Sequence, residues 1–443
     1  MTGPAVGRAG RPSVAAEAAA PAALLFVGAS QVVTCAGPGR ARRGAEMRDA
    51  GVVRGAAVAV VGEKIAAVGA VDGLERAYPD AGRVDCRGCI IAPGFVDSHT
   101  HAIFGRPRAD EQELRAAGLD YMEIARRGGG IHASVRDLRG RDEDELFALA
   151  APRLRRLAAY GTTTVEVKSG YGLTVEDELK SLRVIARLAV ALPMRLVPTW
   201  LGAHEIPLEH RSAPEGRAEY LRMLIAEMLP RVAGEGLARF ADVFCEPGVF
   251  TLDESRSILS ASLAAGLGVK LHADELASSG GAELAATLGA TSADHLAAIS
   301  DAGITALAQS PTVATLLPGT MMFLGKSRQA PARALVEAGA AIALASDFNP
   351  GTSPTVNFPL ILTLGVSQLR LSVAEAMVAG TVNGAAALNL ASSVGQLAPG
   401  YSADLALYEA DDVRELPYWY GDRRCRGSWA RGKACHPYEL GVT

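Results

Sequence analysis

Histidines with metal-binding spacing are the residues of this chain that point most directly to chemistry. His99 and His101 stand two apart, and on a strand such residues share a face about 6.6 Å apart along the chain. With His272 and Asp347 they supply three imidazole nitrogens and one carboxylate, a set that suits zinc or ferrous iron. We therefore predict one divalent metal ion per subunit, which would activate a water molecule for hydrolysis near neutral pH.

Three other residues have types that suit such a reaction. Glu275 follows His272 by three residues and is the candidate for moving protons between water and a leaving nitrogen, unless it is a solvated loop carboxylate. His295 ends a predicted strand and is a candidate for polarising a substrate carbonyl or holding the hydroxide, unless it is a core histidine. Arg108 is suited to bind a substrate carboxylate through a bidentate pair.

Eight apolar segments, each followed by helical periodicity, define the middle of the chain. This alternation indicates a parallel sheet, and eight such units fit a TIM-type (β/α)8 barrel. The alternative is an open doubly wound sheet, but no Gly-x-Gly-x-x-Gly opens a helix after the first strand. The predicted strands are Phe95–His99, Thr163–Lys168, Leu196–Gly202, Ala241–Cys245, Val269–His272, Ser292–His295, Thr312–Leu317 and Ile342–Asp347.

The ends of these strands carry most of the eight histidines. In a TIM-type barrel the carboxyl ends of the strands form one rim, and the chemistry collects there. The predicted helices between the strands are Glu143–Ala159, Val175–Leu192, Glu215–Val232, Leu252–Ala265 and Glu283–Leu288. The pattern thus predicts that residues far apart in sequence meet at one barrel mouth.

Short strand-like runs at both ends of the chain predict a second, composite domain. Residues 23–92 and 390–443 would together form a small β-sandwich, with the barrel of residues 93–389 inserted between them. No helical period is found before Cys89, and Arg424–Ala434 is expected to add one strand that turns at Arg431–Gly432. Residues 1–22, rich in Ala, Gly, Pro and Arg, are predicted to be a disordered extension.

Composition excludes several classes of function. The 443 residues are 49% apolar and 21% charged with a net charge of −4, which does not indicate a nucleic-acid or membrane-surface partner. Six cysteines are too few for a disulfide scaffold, and no apolar run of about 18 residues predicts a transmembrane helix. We expect a cytoplasmic protein that acts on a small molecule.

The motifs resemble the amidohydrolase superfamily and, within it, the imidazolonepropionase family, from about Leu24 onward. The generic motif is Pro93-Gly94-Phe95-Val96-Asp97-Ser98-His99-Thr100-His101. The motifs typical of imidazolonepropionases are Lys168-Ser169-Gly170-Tyr171-Gly172 and Ser346-Asp347-Phe348-Asn349-Pro350-Gly351. The resemblance implies hydrolysis of the cyclic amide of 4-imidazolone-5-propanoate to N-formimidoyl-L-glutamate, and it implies a homodimer.

The same resemblance implies roles for single residues. It assigns the metal to His99, His101, His272 and Asp347, and proton transfer to Glu275, with His295 beside it, and Asp347. Substrate contacts would come from Arg108, Tyr171, His204 and Glu275, and product contacts from Asn349, Gly351 and Thr352. The family often has serine in place of Thr352, and threonine keeps the hydroxyl.

Two alternatives remain at this stage. One is another cyclic amidohydrolase or a heterocycle aminohydrolase of the same superfamily, many of which bind two metals through a lysine on the fourth strand. The segment Phe240–Glu246 has no lysine, although Glu246 could bridge a second ion. The other alternative is a non-catalytic scaffold, which would be expected to have lost metal ligands.

Overall fold

The computed structural model describes residues 23–119, 123–124 and 127–438. The predicted extension of residues 1–22 lies outside the described residues. The strands, in chain order, are β1 Ala23–Val27, β2 Gln31–Val33, β3 Val52–Val53, β4 Ala56–Val61, β5 Lys64–Ala70, β6 Gly82–Asp85, β7 Cys89–Pro93, β8 Phe95–Asp97, β9 Thr162–Lys168, β10 Arg195–Ala203, β11 Phe240–Cys245, β12 Gly268–Ala273, β13 Ser292–His295, β14 Val313–Leu316, β15 Ile342–Leu344, β16 Leu405–Glu409, β17 Cys425–Ala430 and β18 Lys433–His436.

Strands β8 to β15 form a parallel barrel in sequence order. Each strand pairs with the next, and a parallel bridge between Thr100 and Phe348 joins the first strand's end to the last strand's end. The predicted TIM-type barrel is therefore confirmed. The first and last strands are shorter than predicted, so His99 and Asp347 follow their strands, and the left-handed φ of +51° at Asp347 breaks the extended conformation there.

Helices cover the outside of the barrel, and hydrogen-bonded caps explain where the long ones begin. Asp142 and Thr251 each form a capping box with the glutamate three residues on, and Thr174 caps the helix that follows it. The principal helices are Ile131–Arg139, Glu143–Ala158, Val175–Ala191, Gly216–Met223, Leu229–Gly234, Leu252–Ala264, Gly281–Leu288, Asp301–Gln309, Ala332–Ala338, Phe358–Ser367 and Val373–Val378. Within the described part of the chain, no helix has the length and apolar character needed to cross a membrane.

Two further sheets lie outside the barrel, and strands from both ends of the chain share one of them, as predicted. One sheet has the order β18-β17-β16-β7-β2-β3 and the other has the order β5-β4-β1-β6. Phe26 packs edge-on against Trp429, with ring centroids 5.0 Å apart, which joins the N-terminal and C-terminal segments in one apolar core. The domain boundaries at residues 92 and 390 stay predictions.

Two local expectations were wrong. A helix at Val71–Ala77 and a 3-10 helix at Gly44–Arg48 lie where no helix was expected, because both are too short to show a helical period. The segment Arg424–Ala434 contributes to two strands rather than one. The chain passes from the composite sheets into the barrel at Gly94, between β7 and β8. A Cβ at Gly94 would lie 2.2 Å from Thr163 Oγ1, so the crossing requires glycine.

Gly161, which precedes β9, lies against Tyr408 of the composite sheets. Its φ is +91°, and a Cβ there would lie 1.8 Å from the Tyr408 hydroxyl. We predict that Gly161→Ala lowers the free energy of unfolding by about 2–6 kcal/mol, from backbone strain plus overpacking. The control is Gly266→Ala, where φ is +86° and a Cβ would have no atom within 4 Å. This variant should lose only the free energy that corresponds to the backbone strain. Equal losses for the two variants in urea unfolding would contradict this packing.

Candidate metal and catalytic site

Three imidazoles and one carboxylate converge at the carboxyl-terminal mouth of the barrel. The ligand nitrogens of His99, His101 and His272 lie within 4.8 Å of one another, and all three side chains are buried. Asp347 Oδ1 lies 3.6 Å from His99 Nε2 and 3.5 Å from His101 Nε2. The structure thus brings together the four residues predicted as metal ligands, from the first, fifth and last strands.

The chemistry of these donors fits a divalent cation. Burial, together with nearby positive groups, lowers the pKa of His99 and His101 well below the usual histidine value, so both rings are neutral and offer lone pairs. His272 Nε2 is buried without a hydrogen-bond partner within the described structure. A buried polar atom left unpaired costs about 1–3 kcal/mol, and a metal ion would satisfy it.

Acidic and hydroxyl side chains lie behind three of the four ligands and fix their orientation. Asp294 Oδ2 lies 2.6 Å from His99 Nδ1, and Asp242 Oδ2 lies 3.0 Å from His272 Nδ1. Such carboxylates hold the far nitrogen of a metal-binding histidine, so that the near nitrogen faces the ion. Thr320 donates a 2.6 Å hydrogen bond to Asp347 Oδ2, which leaves Oδ1 toward the histidines.

Sequence reasoning missed Asp242, Asp294 and Thr320 as supporting residues. The usable signal for Asp242 was an acidic residue inside the otherwise apolar strand β11. Such a residue must have a partner, because an unpaired buried charge is very costly.

Glu275 lies at the wall of the pocket, not in solvent. Its side chain is 11% exposed, and its Oε2 lies 3.5 Å from His295 Nδ1. Burial and the charges of Asp347 and Glu246 raise the pKa of Glu275 to about 8. Glu246 accepts hydrogen bonds from the backbone N–H groups of Glu275 and Ala277, so it anchors this loop through both its oxygens. The idea that Glu246 bridges a second ion finds no support in this geometry.

His295 stands beside the metal donors. Its ring centroid is 5.1 Å from that of His272 and 5.3 Å from that of His99. Its backbone has a left-handed φ of +78°, and Asp274 and Asp347 share this unusual region with φ of +50° and +51°. Non-glycine residues in this region cost about 1–3 kcal/mol each, and they cluster where side chains must be aimed at a site.

The Arg108 guanidinium lies against the backbone of Gly351, so the size of residue 351 affects where the guanidinium can lie. The guanidinium is nearly buried, with Nε 3.3 Å from Glu111 Oε1 and Nη1 3.4 Å from Ser134 Oγ. A Cβ at residue 351 would lie 1.3 Å from Arg108 Nη2. Glycine is therefore required at position 351 to leave room for the guanidinium.

His204 and Tyr171 form an aromatic wall beside the metal donors. The His204 ring stacks on His101 at 5.0 Å with an interplanar angle of 17°, and Tyr171 lies 5.4 Å from His204. Burial lowers the pKa of His204 to about 3, and its Nδ1 donates to the Gly170 carbonyl at 2.8 Å. The remaining nitrogen, Nε2, is then a hydrogen-bond acceptor.

A buried glutamate, which sequence reasoning also missed, holds the loop that carries Tyr171. Glu178 Oε1 accepts hydrogen bonds from the backbone N–H groups of Gly170, Gly172 and Leu173 at 3.1, 2.8 and 3.0 Å. The same loop presents the Gly170 carbonyl to His204. One carboxylate therefore sets the position of both aromatic side chains.

Asn349 organises the turn after the last strand. Its Oδ1 accepts from the N–H groups of Gly351 and Thr352, and its Nδ2 donates to the Asp347 carbonyl and to Thr352 Oγ1. The amide is thus engaged within the loop. Its predicted contact with product stays a prediction, as do those of Gly351 and Thr352.

Comparisons with known proteins identify the family of this chain. A sequence model of the amidohydrolase family matches residues 106–436. Imidazolonepropionase of Symbiobacterium thermophilum is 49% identical over 90% of this chain and 94% of that protein. Imidazolonepropionase of Geobacillus kaustophilus is 44% identical over 89% of this chain and 93% of that protein.

Similar folds occur among solved structures of low sequence identity. A zinc-bound adenosine deaminase from Xanthomonas campestris has a TM-score of 0.70 at 18% identity, over 94% of this chain and 93% of that one. E. coli guanine deaminase also has a TM-score of 0.70 at 16% identity, over 94% of this chain and 100% of the guanine deaminase chain. These two likenesses concern the fold alone, whereas the identity and coverage of the sequence relatives show that the chain belongs to the imidazolonepropionase family of amidohydrolases.

Proposed function

We propose that this protein hydrolyses the cyclic amide of 4-imidazolone-5-propanoate to N-formimidoyl-L-glutamate, a step of histidine catabolism. The observation that carries the proposal is the assembly of metal donors beside Glu275 in a chain whose relatives are named imidazolonepropionases. In this reaction water attacks the ring carbonyl carbon. The amide C–N bond then breaks, and its nitrogen gains a proton.

One divalent ion per subunit, zinc or iron, would be held by His99, His101, His272 and Asp347. Nitrogen and carboxylate donors suit either metal. The chemistry that such an ion supplies is the activation of water near neutral pH. The neutral imidazoles and the orphaned His272 nitrogen support this assignment.

Glu275 is the residue that we assign to proton transfer. A divalent ion at the four ligands would favour the ionised form of this carboxyl group, which would then take the proton of the attacking water and deliver it to the ring nitrogen as the C–N bond breaks. His295, 3.5 Å from Glu275, is placed to stabilise the charge that develops on the carbonyl oxygen. Asp347, held by Thr320, shares in the proton relay.

Arg108 is the residue that we assign to the propionate carboxylate. It is nearly buried, with Nε 3.3 Å from Glu111 Oε1, and its planar guanidinium suits bidentate binding of a carboxylate. Tyr171 and His204 would pack against the substrate ring. Asn349, Gly351 and Thr352 would contact the product. A cytoplasmic location, a homodimer and the absence of nucleic-acid and membrane partners also stay predictions.

The activity is tested by mixing the purified protein with freshly generated 4-imidazolone-5-propanoate. We expect its ultraviolet absorbance to decay and N-formimidoyl-L-glutamate to form, at a rate that chelation of metal abolishes and zinc or iron restores. His272→Ala, which removes one donor, is the matched control and should stay inactive after metal is added. Decay at an equal rate in wild type and the control would contradict the proposal.

Substitutions at the two ends of the substrate should separate binding from chemistry. Arg108→Ala should raise KM by about 10–100-fold with little change in kcat, because a charge-assisted pair is worth about 1.5–3 kcal/mol. Gly351→Ala should also raise KM, because its Cβ would displace the Arg108 guanidinium. Glu275→Gln should instead lower kcat by about 10²–10⁴-fold. Steady-state kinetics with the reverse pattern would reject these roles.

Glu275 should also make the stability of the metal-free protein depend on pH. Its pKa is about 8 in the folded state against 4.5 for an ordinary glutamate, so the folded protein retains a proton that the unfolded chain releases between these values. The unfolding free energy of wild type should therefore fall from pH 5 to 8 relative to Glu275→Gln. Urea unfolding of chelator-treated protein measures this difference, and a constant difference would contradict the raised pKa.

A further inference from the structure

A network of charged side chains lies inside the barrel beneath the metal donors, and no side chain in it is exposed. Lys168 Nζ lies 2.7 Å from Asp242 Oδ2 and 2.9 Å from Glu166 Oε2. Lys270 Nζ lies 2.9 Å from the same Glu166 oxygen and donates to the Ser98 carbonyl at 2.7 Å. Lys168 ends a predicted strand and belongs to none of the predicted site residues.

This network contains a second group of atoms with the geometry of metal ligands. The donor atoms of His99, Glu166 and Asp294 lie within 4.8 Å of one another and are buried. The two lysine ammonium groups already neutralise this group. Lys270 Nζ is 3.6 Å and Lys168 Nζ is 3.8 Å from Asp294 Oδ2, and both are 2.9 Å from Glu166 Oε2.

The buried charges balance with one divalent ion and not with two. Three carboxylates and two ammonium groups give the network a charge of −1, and Asp347 adds another −1. One divalent cation at the four ligands brings the sum to zero, whereas a second would leave an uncompensated +2. An uncompensated charge in a barrel interior is strongly destabilising, because its loss of hydration is not repaid.

We propose that Lys168 and Lys270 stand in place of a second metal ion and restrict this protein to one. The same ammonium groups hold two carboxylates in position. Lys168 fixes Asp242 against His272, and both lysines face Asp294, which holds His99. The lysines are thus positioning residues that act through the metal-binding histidines. The inference rests on the proposed metal site but not on the proposed substrate.

The test measures how much metal the protein binds, without substrate. Wild type, Lys270→Met and Lys168→Met are titrated with Co²⁺ and followed by visible absorbance. Bound zinc is then counted after dialysis against excess zinc. The control is Lys180→Met, which removes a lysine that pairs with Asp177 on an outer helix. A charge-matched variant, Glu166→Gln/Lys270→Met, removes the second donor group together with its cation.

Wild type and Lys180→Met should saturate at one metal per chain even in excess zinc. Lys270→Met should bind a second ion, and Glu166→Gln/Lys270→Met should return to one. Lys168→Met should weaken zinc binding by about 10–100-fold relative to Lys180→Met, because Asp242 loses its nearest cation. This loss would show as a higher zinc Kd in chelator competition.

Two zinc ions per wild-type chain, or a folded Lys270→Met variant that still binds one, would overturn the inference. If Lys270→Met does not fold, the number of zinc ions per wild-type chain and the zinc Kd of Lys168→Met test the inference. A zinc Kd of Lys168→Met equal to that of Lys180→Met would overturn it. A wild type that binds one zinc but leaves 4-imidazolone-5-propanoate intact would contradict the proposed reaction and leave this inference standing.

Discussion

Closure of the barrel between its first and last strands is the constraint on which the metal site depends. The backbone N–H of Asp347 donates to the His99 carbonyl at 3.0 Å, and the N–H of His101 donates to the Phe348 carbonyl at 2.8 Å. These bonds join ligands that are almost 250 residues apart in sequence. Both strands are only three residues long, so few ladder hydrogen bonds hold them. The Asp97 carboxylate supplements these bonds by accepting from the N–H and hydroxyl groups of Ser346.

Other buried carboxylates around the rim likewise hold backbone segments in place by accepting hydrogen bonds. Glu178 holds the loop of Tyr171, Glu246 holds the loop of Glu275, and Asp274 accepts several N–H groups at the start of the helix Gly281–Leu288. A buried carboxylate that accepts two or more backbone N–H groups fixes a loop more rigidly than apolar packing does, because hydrogen bonds are directional. The rim can then keep its residues in left-handed backbone conformations without losing order.

The sequence predicted those parts of the molecule that follow from local periodicity. An apolar run and the residue that ends it were enough to predict the eight strands. They were also enough to place His99, His272 and Asp347 at strand ends. The supporting residues Asp294, Glu178 and Lys270 were not predicted, because their partners come from other strands or loops. A single sequence without its fold does not show which buried charges meet. The helix Val71–Ala77 was missed for a simpler reason, since two turns are too short to establish a period.

In the reaction proposed for this protein, the place of Arg108 would set the orientation of an anionic substrate. Its guanidinium is nearly buried beside Gly351, with Nε 3.3 Å from Glu111 Oε1. A propionate group held there would lie at a fixed distance from the ring carbonyl, and this distance would decide which bond lies over the metal donors. Gly351 contributes to the same selection, because any larger residue would take the space of the guanidinium. In this proposal, substrate choice would depend on Arg108 and Gly351, which are neither metal ligands nor the proton-transfer residue.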